Sequence, residues 1–503
     1  MKKGKYVICF NMKKYEGGRK VKKQALNPYL PQQEYIPDGE PYIFGDRVYV
    51  YGSHDRFNFP MFCANDYVCY SAPVDDLSDW RYEGVIYRKN QDPKNKLGLR
   101  LLFAPDVTAG CDGRYYLYYA FDFMGIMGVA VSDSPAGPYE FYGHVHYKDG
   151  TIWGRKKGDS LPFDPGVLVD DDGKVYLYSG FYTPVPAIAT GFRKLKNEGG
   201  YVLELEQDMV TIRTPEKLLF PKEGKGTFEN HEFFEASSIR KYDGKYYFVY
   251  SSRHNHELCY AVSDSPTEGF TYKGTLVSNA DIFLDQGMSE KDAKNYIGNN
   301  HGGMLRYKDQ YYIFYHRQTN RNSYSRQACA EKLVRDEKGN FCQAEMTSCG
   351  LNNGPLKGEG IYEARIACQL WSKDGTGRYD VGNPARLLKE HPYITQDKKD
   401  GDESAIQYIA NMRDGAVAGF KYFKITESTD ITICISGVAK GEILVSDTAD
   451  FGKCVHVQVD VNERKSYYSV RLPEIYGETA LYFKYLGEGK VDFFQFELKK
   501  GGE

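Results

Sequence analysis

The sequence predicts an all-β protein, a five-bladed β-propeller followed by a β-sandwich domain. Three observations support this: a five-fold repeat, a later series of alternating strands, and few segments with helical periodicity. At 503 residues the chain exceeds one ordinary core, so several domains are expected. We predict an N-terminal extension over residues 1–27, a propeller over 28–355 and a sandwich over 356–503.

The repeat is a turn pair followed by a strand of period two, which is the signal of a β-hairpin. It occurs in "GDRVYVYGS" and, in altered form, in "DGRYYLYYA", "DGKVYLYSG", "DGKYYFVYS" and "KDQYYIFYH". Its second aromatic residue recurs at spacings of 67, 60, 71 and 65 residues, at Tyr49, Tyr116, Tyr176, Tyr247 and Tyr312. Units of this length, with several strands each, are typical of propeller blades.

Beyond Pro355 the repeat stops and a different series of strands begins. Segments such as "TDITICISG", "GEILVSD" and "KCVHVQVDV" alternate in polarity and are separated by Gly, Asp or Pro. This spacing predicts a β-sandwich. We expect an accessory domain that the chemistry does not require, because every candidate catalytic acid precedes residue 302.

Composition narrows the class of ligand. A formal net charge of -3 argues against a nucleic-acid or membrane-surface protein and favours a neutral or small ligand. The 44 Tyr and 28 Phe residues suit half-buried strands, and aromatic rings also stack on sugars.

The cysteine pattern and the N-terminus predict the cellular context. Eleven cysteines with no CxxC pair and no clustered His predict neither a disulfide framework nor a zinc site. The apolar run from Tyr6 to Phe10 is shorter than a signal-peptide core, so a cytoplasmic protein is expected. No run approaches transmembrane length.

Candidate functional residues occur at one phase of the repeat, ten to twelve residues before each aligned Tyr. They are Asp38, Asp106, Asp164, Glu235 and His301. Singly, an Asp beside Pro or Gly is ordinarily a turn residue. Together, five ionisable groups should converge at one end of the propeller channel. Crowded carboxyl groups have divergent pKa values, so that one can serve as an acid and another as a base, as glycosidic cleavage requires.

These residues resemble glycoside hydrolase family 43, the five-bladed propeller enzymes that release arabinofuranosyl and xylosyl units. The similarity covers about residues 27–352, through "PDGEPYIFGDRVYVYGSHD", "FDPGVLVDDDGKVYLY", "FFEASSIRKYDGKYYFVYSS" and "NNHGGMLRYKDQYYIFYHR". It implies that Asp38 is the general base, Asp164 orients the acid and modulates its pKa, and Glu235 is the general acid. We assign substrate binding to Asp106, His301, Arg326 and Phe103.

The resemblance requires no cofactor, but it implies a structural Ca²⁺ at the propeller axis that His301 faces through water. One departure from the family pattern makes Glu40 a contender for the role of Asp38. The C-terminal segment "YIANMRDGAVAGFKYF" resembles a family 6-type carbohydrate-binding module. Residues expected to shape the pocket are Phe103, Asp122, Trp153 and Tyr182.

The expected activity is that of an inverting, exo-acting α-L-arabinofuranosidase or β-D-xylosidase on plant-derived oligosaccharides. Two alternatives stay open at this point. One is a family member that acts on galactofuranosides or β-galactans. The other is a sugar-binding propeller without catalysis.

Overall fold

The computed structural model describes residues 15–16, 19–20, 23–185, 188, 190–282, 284, 289–378 and 389–501. The first two strands, β1 (Tyr15–Glu16) and β2 (Arg19–Lys20), form a small antiparallel pair. The rest of the predicted extension before residue 23 lies outside the described residues. Asn27 packs on the last propeller blade, where its side chain donates to Ala330 O and Glu331 Oε1 at 3.1 and 2.8 Å.

The next nineteen strands form five antiparallel sheets, which confirms the five blades. Blade 1 contains β3 (Glu40–Phe44), β4 (Arg47–Tyr51), β5 (Tyr67–Pro73) and β6 (Arg81–Tyr87). Blade 2 contains β7 (Asp106–Ala109), β8 (Tyr115–Ala120), β9 (Met127–Ser132) and β10 (Glu140–His144). Blade 3 contains β11 (Gly166–Val169), β12 (Val175–Gly180), β13 (Gly199–Leu205) and β14 (Ile212–Pro221).

Blades 4 and 5 complete the ring. Blade 4 contains β15 (Phe233–Tyr242), β16 (Lys245–Ser252), β17 (Leu258–Ser263) and β18 (Thr271–Val277). Blade 5 has three strands, β19 (Met304–Tyr307), β20 (Gln310–Gln318) and β21 (Arg326–Leu333). Four short 3₁₀ turns lie at Lys89–Gln91, Gly226–Phe228, Glu290–Asp292 and Ala364–Ile366.

The hydrophobic core of the propeller lies between its blades. Each of five buried clusters joins residues of two neighbouring blades, and one of them packs Val48 and Val50 of blade 1 against Phe314 and Ala328 of blade 5. Each blade packs between two neighbouring blades, so the alternating side chains of its strands are buried on both faces of the sheet. The ring is closed at the axis by a bridge between Gly39 and Gly302.

The remaining strands form one large sheet system around a separate core, the predicted β-sandwich. Its strands are β22 (Leu356–Lys357), β23 (Gly360–Glu363), β24 (Gln369–Trp371), β25 (Tyr393–Gln396), β26 (Gln407–Met412), β27 (Val417–Ile425), β28 (Thr429–Ser446), β29 (Val455–Asn462), β30 (Ser466–Arg471) and β31 (Gly477–Lys500). Two long strands connect its parts, since β28 pairs with β29, β30 and β31, and β31 also pairs with β23, β26 and β27.

The sandwich is joined to the propeller through buried polar contacts. Arg317 on β20, 3% exposed, donates to the carbonyl oxygens of Ala367 and Arg365 at 2.7 and 2.6 Å. Lys421 on β27 is 1% exposed and its Nζ lies 3.4 Å from Asp281 Oδ2. Polar groups buried this deeply must keep their partners, so the two domains depend on each other at this surface.

Among the described residues, no helix has the length and apolar character needed to cross a membrane.

Candidate active site

A cavity of about 1190 Å³ opens where the first strands of the blades begin. Besides the aromatic residue Phe103, five of the residues predicted to be catalytic or to bind substrate line it: Asp38, Asp164, Glu235, His301 and Arg326. The structure thus brings together side chains from four blades that are up to 288 residues apart along the chain. The cavity is large enough for a sugar residue.

Asp38 lies in a turn just before β3, in the left-handed backbone region with φ of 59°. Asp adopts this region more readily than most residues. Its backbone N–H donates to Nδ1 of His316 at 3.3 Å, and Nε2 of His316 in turn contacts the carbonyl oxygen of Asn299 at 2.7 Å. Asp38 is therefore both a turn residue and a cavity residue, since the turn aims its carboxylate inward.

The charge of Asp38 is stabilised by Arg326. Burial alone would raise the pKa of Asp38, but the Arg326 guanidinium, whose Nη1 lies 2.9 Å from Asp38 Oδ1, holds it well below the usual range. Arg326 is fixed by a second carboxylate, because its Nε and Nη2 donate to Asp55 at 2.8 and 3.0 Å. Asp38 consequently remains ionised and can accept a proton.

Glu235 lies at an irregularity in β15. The pairing with β16 shifts register on both sides of Glu235, and the next residue, Ala236, has φ of 70°. Such a bulge re-aims a side chain, here toward the cavity. Burial and the neighbouring Asp38 charge raise the pKa of Glu235 to about 8. Glu235 therefore retains its proton at neutral pH and can donate it.

Asp164 supports Glu235 from the neighbouring blade. Its Oδ2 accepts a hydrogen bond of 3.0 Å from the backbone N–H of Ala236, directly beside the acid. Burial together with the charges of Glu235 and Asp38 raises the pKa of Asp164. The two carboxyl groups repel each other when both are ionised, so the pair holds a proton at higher pH than either group would alone.

Glu40 and Asp106 lie deeper, in what we call the axial cluster: Glu40, Tyr42, Asp106, Ser238 and Arg240. Glu40 Oε2 accepts from Arg240 Nη2 at 2.6 Å and from Ser238 Oγ at 3.0 Å. Asp106 accepts from the Tyr42 hydroxyl and from two backbone N–H groups. Neither Glu40 nor Asp106 lines the cavity, and both are fully buried.

Because Glu40 lies outside the cavity and Asp38 lines it, Asp38 is favoured over Glu40 as the candidate base. The structure also corrects the assignment of Asp106 to substrate binding, because the oxygens of Asp106 are used inside the axial cluster. The sequence pattern gave the correct phase of the repeat for Asp106. The distance between Asp106 and the cavity, however, depends on the depth in the channel at which its strand, β7, begins.

The resemblance implies an axial calcium ion, and the residues at the axis decide whether such an ion fits. Two buried atoms near the axis have no hydrogen-bond partner among the described residues, Glu40 Oε1 and His301 Nε2, which lie 3.8 Å apart. Ca²⁺ takes six to eight oxygen ligands, and Arg240 already supplies a positive charge beside Glu40. These residues do not fit a directly held Ca²⁺. A cation held through water by His301 stays a prediction, and no catalytic step is assigned to it.

The predicted pocket-shaping residues divide into two groups. Phe103 and Asp122 line the cavity, whereas Trp153 and Tyr182 do not. Trp153 is buried elsewhere, where its Nε1 donates to Glu216, so its assignment to the pocket is corrected. Phe103 belongs to an aromatic wall whose rings contact one another, formed by Phe103, Phe123, Phe163, Phe181 and Phe234. Such rings offer apolar faces for a sugar.

Four functional residues were missed by sequence reasoning. Asp55 and His316 hold Arg326 and the Asp38 backbone, as described above. His256 lines the cavity, and burial followed by the Arg378 charge lowers its pKa to about 4, so the ring is neutral. Arg378 also lines the cavity although it lies beyond the propeller. The segment "YGSHD", which follows the first hairpin, was available as a signal for Asp55. No sequence signal marked His316, His256 or Arg378.

A proton-holding Glu and an ionised Asp that face one cavity supply the acid and the base that hydrolysis of a glycosidic bond requires. The model of Glycosyl hydrolases family 43 matches residues 27–341, and the chain belongs to this family.

Known proteins resemble the chain over most of its length. A xylosidase/arabinosidase of Thermoclostridium stercorarium is 48% identical over 482 residues, which cover 95% of this chain and 99% of that protein. A xylosidase/arabinosidase of Bacteroides ovatus is 30% identical over 319 residues, 57% of this chain and 87% of that protein. A solved family 43 arabinoxylan arabinofuranohydrolase from Bacillus subtilis superposes with a TM-score of 0.49 at 20% identity, covering 94% of this chain and 97% of that one.

Proposed function

We propose that this enzyme is an inverting, exo-acting glycosidase that releases α-L-arabinofuranosyl or β-D-xylosyl units from plant-derived oligosaccharides. The observation that carries the mechanism is that Asp38 and Glu235 face one cavity with pKa values moved in opposite directions. The pentose specificity is supported by the names of the two relatives above.

In this mechanism Asp38 acts as general base and Glu235 as general acid. The Asp38 carboxylate accepts a proton from water as the water oxygen attacks the anomeric carbon. The bond from that carbon to the leaving oxygen breaks, and Glu235 gives its proton to that oxygen. Direct attack by water inverts the anomeric configuration.

Asp164 and Arg326 are positioning residues in this proposal. Asp164 orients Glu235 through the Ala236 N–H, and the two carboxyl groups resist ionising together. Arg326 keeps Asp38 ionised while Asp55 fixes the guanidinium. His301, whose Nδ1 lies 3.6 Å from Asp164 Oδ2, and neutral His256 are available for sugar hydroxyls.

The test is hydrolysis of nitrophenyl glycosides by the full chain, with the anomer of the first product followed by NMR. We expect turnover of the α-L-arabinofuranoside or the β-D-xylopyranoside and an inverted product. If a β-D-galactofuranoside is turned over faster than both pentosides, the substrate is a galactofuranoside and not a pentoside. A retained anomer would contradict direct attack by water.

A further inference from the structure

A second cluster of ligand-type side chains lies in blade 4, and the mechanism does not use it. It consists of His231, two residues before β15, together with Glu257 and Cys259 at the start of β17. One nitrogen, oxygen or sulfur atom of each lies within 4.8 Å of the others. His231 Nδ1 is 3.6 Å and Cys259 Sγ is 3.9 Å from the same oxygen, Glu257 Oε1.

The polar atoms of this cluster are incompletely satisfied by the protein. Glu257 is 1% exposed, and its second oxygen, Oε2, is buried without a hydrogen-bond partner among the described residues. His231 Nδ1 is likewise buried, and among the described residues it makes no hydrogen bond shorter than the 3.6 Å contact with Glu257 Oε1. A carboxylate oxygen and an imidazole nitrogen left in this state cost free energy that a bound cation would recover.

The imidazole is oriented before any ligand binds. The backbone N–H of His231 donates to Phe228 O at 2.9 Å, and its carbonyl oxygen accepts from the Tyr250 hydroxyl at 2.6 Å. Its ring stacks on Tyr272, with centroids 4.2 Å apart and planes 10° apart. The side chain is 31% exposed, which leaves an approach from solvent. Fixed orientation and an entry path are both required of a metal site.

We propose that His231, Glu257 and Cys259 bind a divalent transition-metal ion of the zinc type. A nitrogen, an oxygen and a sulfur ligand suit Zn²⁺, whereas a sulfur ligand disfavours Ca²⁺ and Mg²⁺. Ligand atoms about 2.0–2.3 Å from a tetrahedral zinc lie roughly 3.4–3.6 Å apart, so small side-chain movements bring the observed spacings into range.

Binding involves proton release and no redox change. The Cys259 thiol gives its proton to the buffer as the metal–thiolate bond forms, and solvent on the exposed side of His231 supplies a further ligand. The metal would link the segment that precedes β15, which contains His231, with strand β17, which contains Cys259. Because β15 carries Glu235 four residues after His231, the site would stabilise the strand that holds the acid.

The test uses the full chain after chelation and dialysis, with Co²⁺ and Zn²⁺ as probes. We expect a near-ultraviolet cobalt–thiolate charge-transfer band, one equivalent of Zn²⁺ in calorimetry and a rise in Tm with Zn²⁺. Cys259→Ser should remove the band. His231→Gln, at a partly exposed position, should weaken Zn²⁺ binding at least tenfold.

Cys454→Ser is the matched control, because Cys454 Sγ lies 3.7 Å from His456 Nε2 on the outer sheet of the sandwich. This variant should keep the band and the affinity. The proposal is overturned if wild-type protein shows no band, or if the band survives Cys259→Ser.

Discussion

Asp38 and Glu235 are both carboxyl groups of one cavity, and their neighbours give them opposite protonation states. The difference is that Asp38 has a cation within hydrogen-bonding distance, whereas Glu235 has burial and a like charge. Removing the Glu235 or the Asp38 carboxyl group should therefore have effects that depend differently on the leaving group of the substrate.

Glu235→Gln should lose about 10²–10⁴-fold in kcat on an oligosaccharide, because a sugar alkoxide needs a proton to leave. On a nitrophenyl glycoside the loss should be much smaller, since nitrophenolate leaves as a stable anion. Asp38→Asn should lose comparably on both, because each reaction needs an activated water. Steady-state kinetics on the two substrates measures this, and equal sensitivity of both variants to the leaving group would contradict the assignment.

The pH profile follows from the same groups. Glu235 must be protonated, so kcat/KM on an oligosaccharide should fall above about pH 8, the pKa of Glu235. Asp38, with its depressed pKa, loses its charge only at low pH and sets the acid limb. Asp164→Asn removes the carboxyl group that resists ionising together with Glu235, so the alkaline limb should move to lower pH. Asp170→Asn is the control, because Asp170 pairs with Lys241 away from the cavity; an unmoved limb in Asp164→Asn would refute the coupling.

At the scale of elements, the first strand of each blade sets how deep its carboxyl group lies. Asp38 and Asp164 precede their strands in left-handed turns, whereas Glu40 begins β3 and Asp106 begins β7. Of these four groups, the two that precede their strands reach the cavity and the two that begin a strand lie in the axial cluster. Glu235, inside β15, reaches the cavity through its bulge. Strand packing at the axis is tight enough to make this cluster sensitive to one methyl group.

Gly303, just before β19, should not tolerate a side chain. A Cβ there would lie 2.2 Å from Glu40 Oε2, which Arg240 and Ser238 hold in place. Gly303→Ala should therefore lower the free energy of unfolding by about 1–3 kcal/mol or more. In Gly143→Ala, the control on β10, the nearest atom is a Val210 methyl at 3.5 Å. Unfolding by denaturant measures the stability of both variants. Similar free energies of unfolding for Gly303→Ala and Gly143→Ala would show that the axial cluster can rearrange to accept a methyl group.

The sequence revealed the local elements and the phase of the repeat, because a hairpin is encoded by neighbouring residues. It could not reveal partners far apart in the chain. Arg326 and Asp55 are 271 residues apart, and Arg240 and Glu40 are 200 apart. Cys259 and Glu257 are close in sequence, but His231 joins them only through folding of blade 4. Packing of separate strands decides such contacts, and one sequence contains no direct record of it.

At the scale of the whole molecule, the cavity is built by both domains. Arg378 follows β24 of the sandwich, yet Ile297 and Arg378 form a parallel bridge and the Arg378 side chain lines the cavity. Its Nη2 donates to His254 O at 2.9 Å and lies 3.0 Å from Glu290 Oε1. The sandwich therefore contributes to the substrate site, which the position of the candidate acids before residue 302 gave no reason to expect.

Arg378→Ala should weaken binding of oligosaccharides more than it slows the chemistry. Arg378 contacts residues at the cavity rim, so its loss should raise KM for an oligosaccharide about 10- to 100-fold, the range expected for a hydrogen bond from a charged group. The kcat for a nitrophenyl pentoside should change little. The pKa of His256 measured by NMR should rise toward its usual value, because the Arg378 charge lowers that pKa in addition to burial.

Arg471→Ala is the control for this prediction, since Arg471 pairs with Asp430 on the outer surface of the same domain. If both variants show wild-type kinetics and the same His256 pKa, the sandwich does not take part in the site; if only Arg378→Ala changes, its role in substrate binding is established independently of the acid and the base.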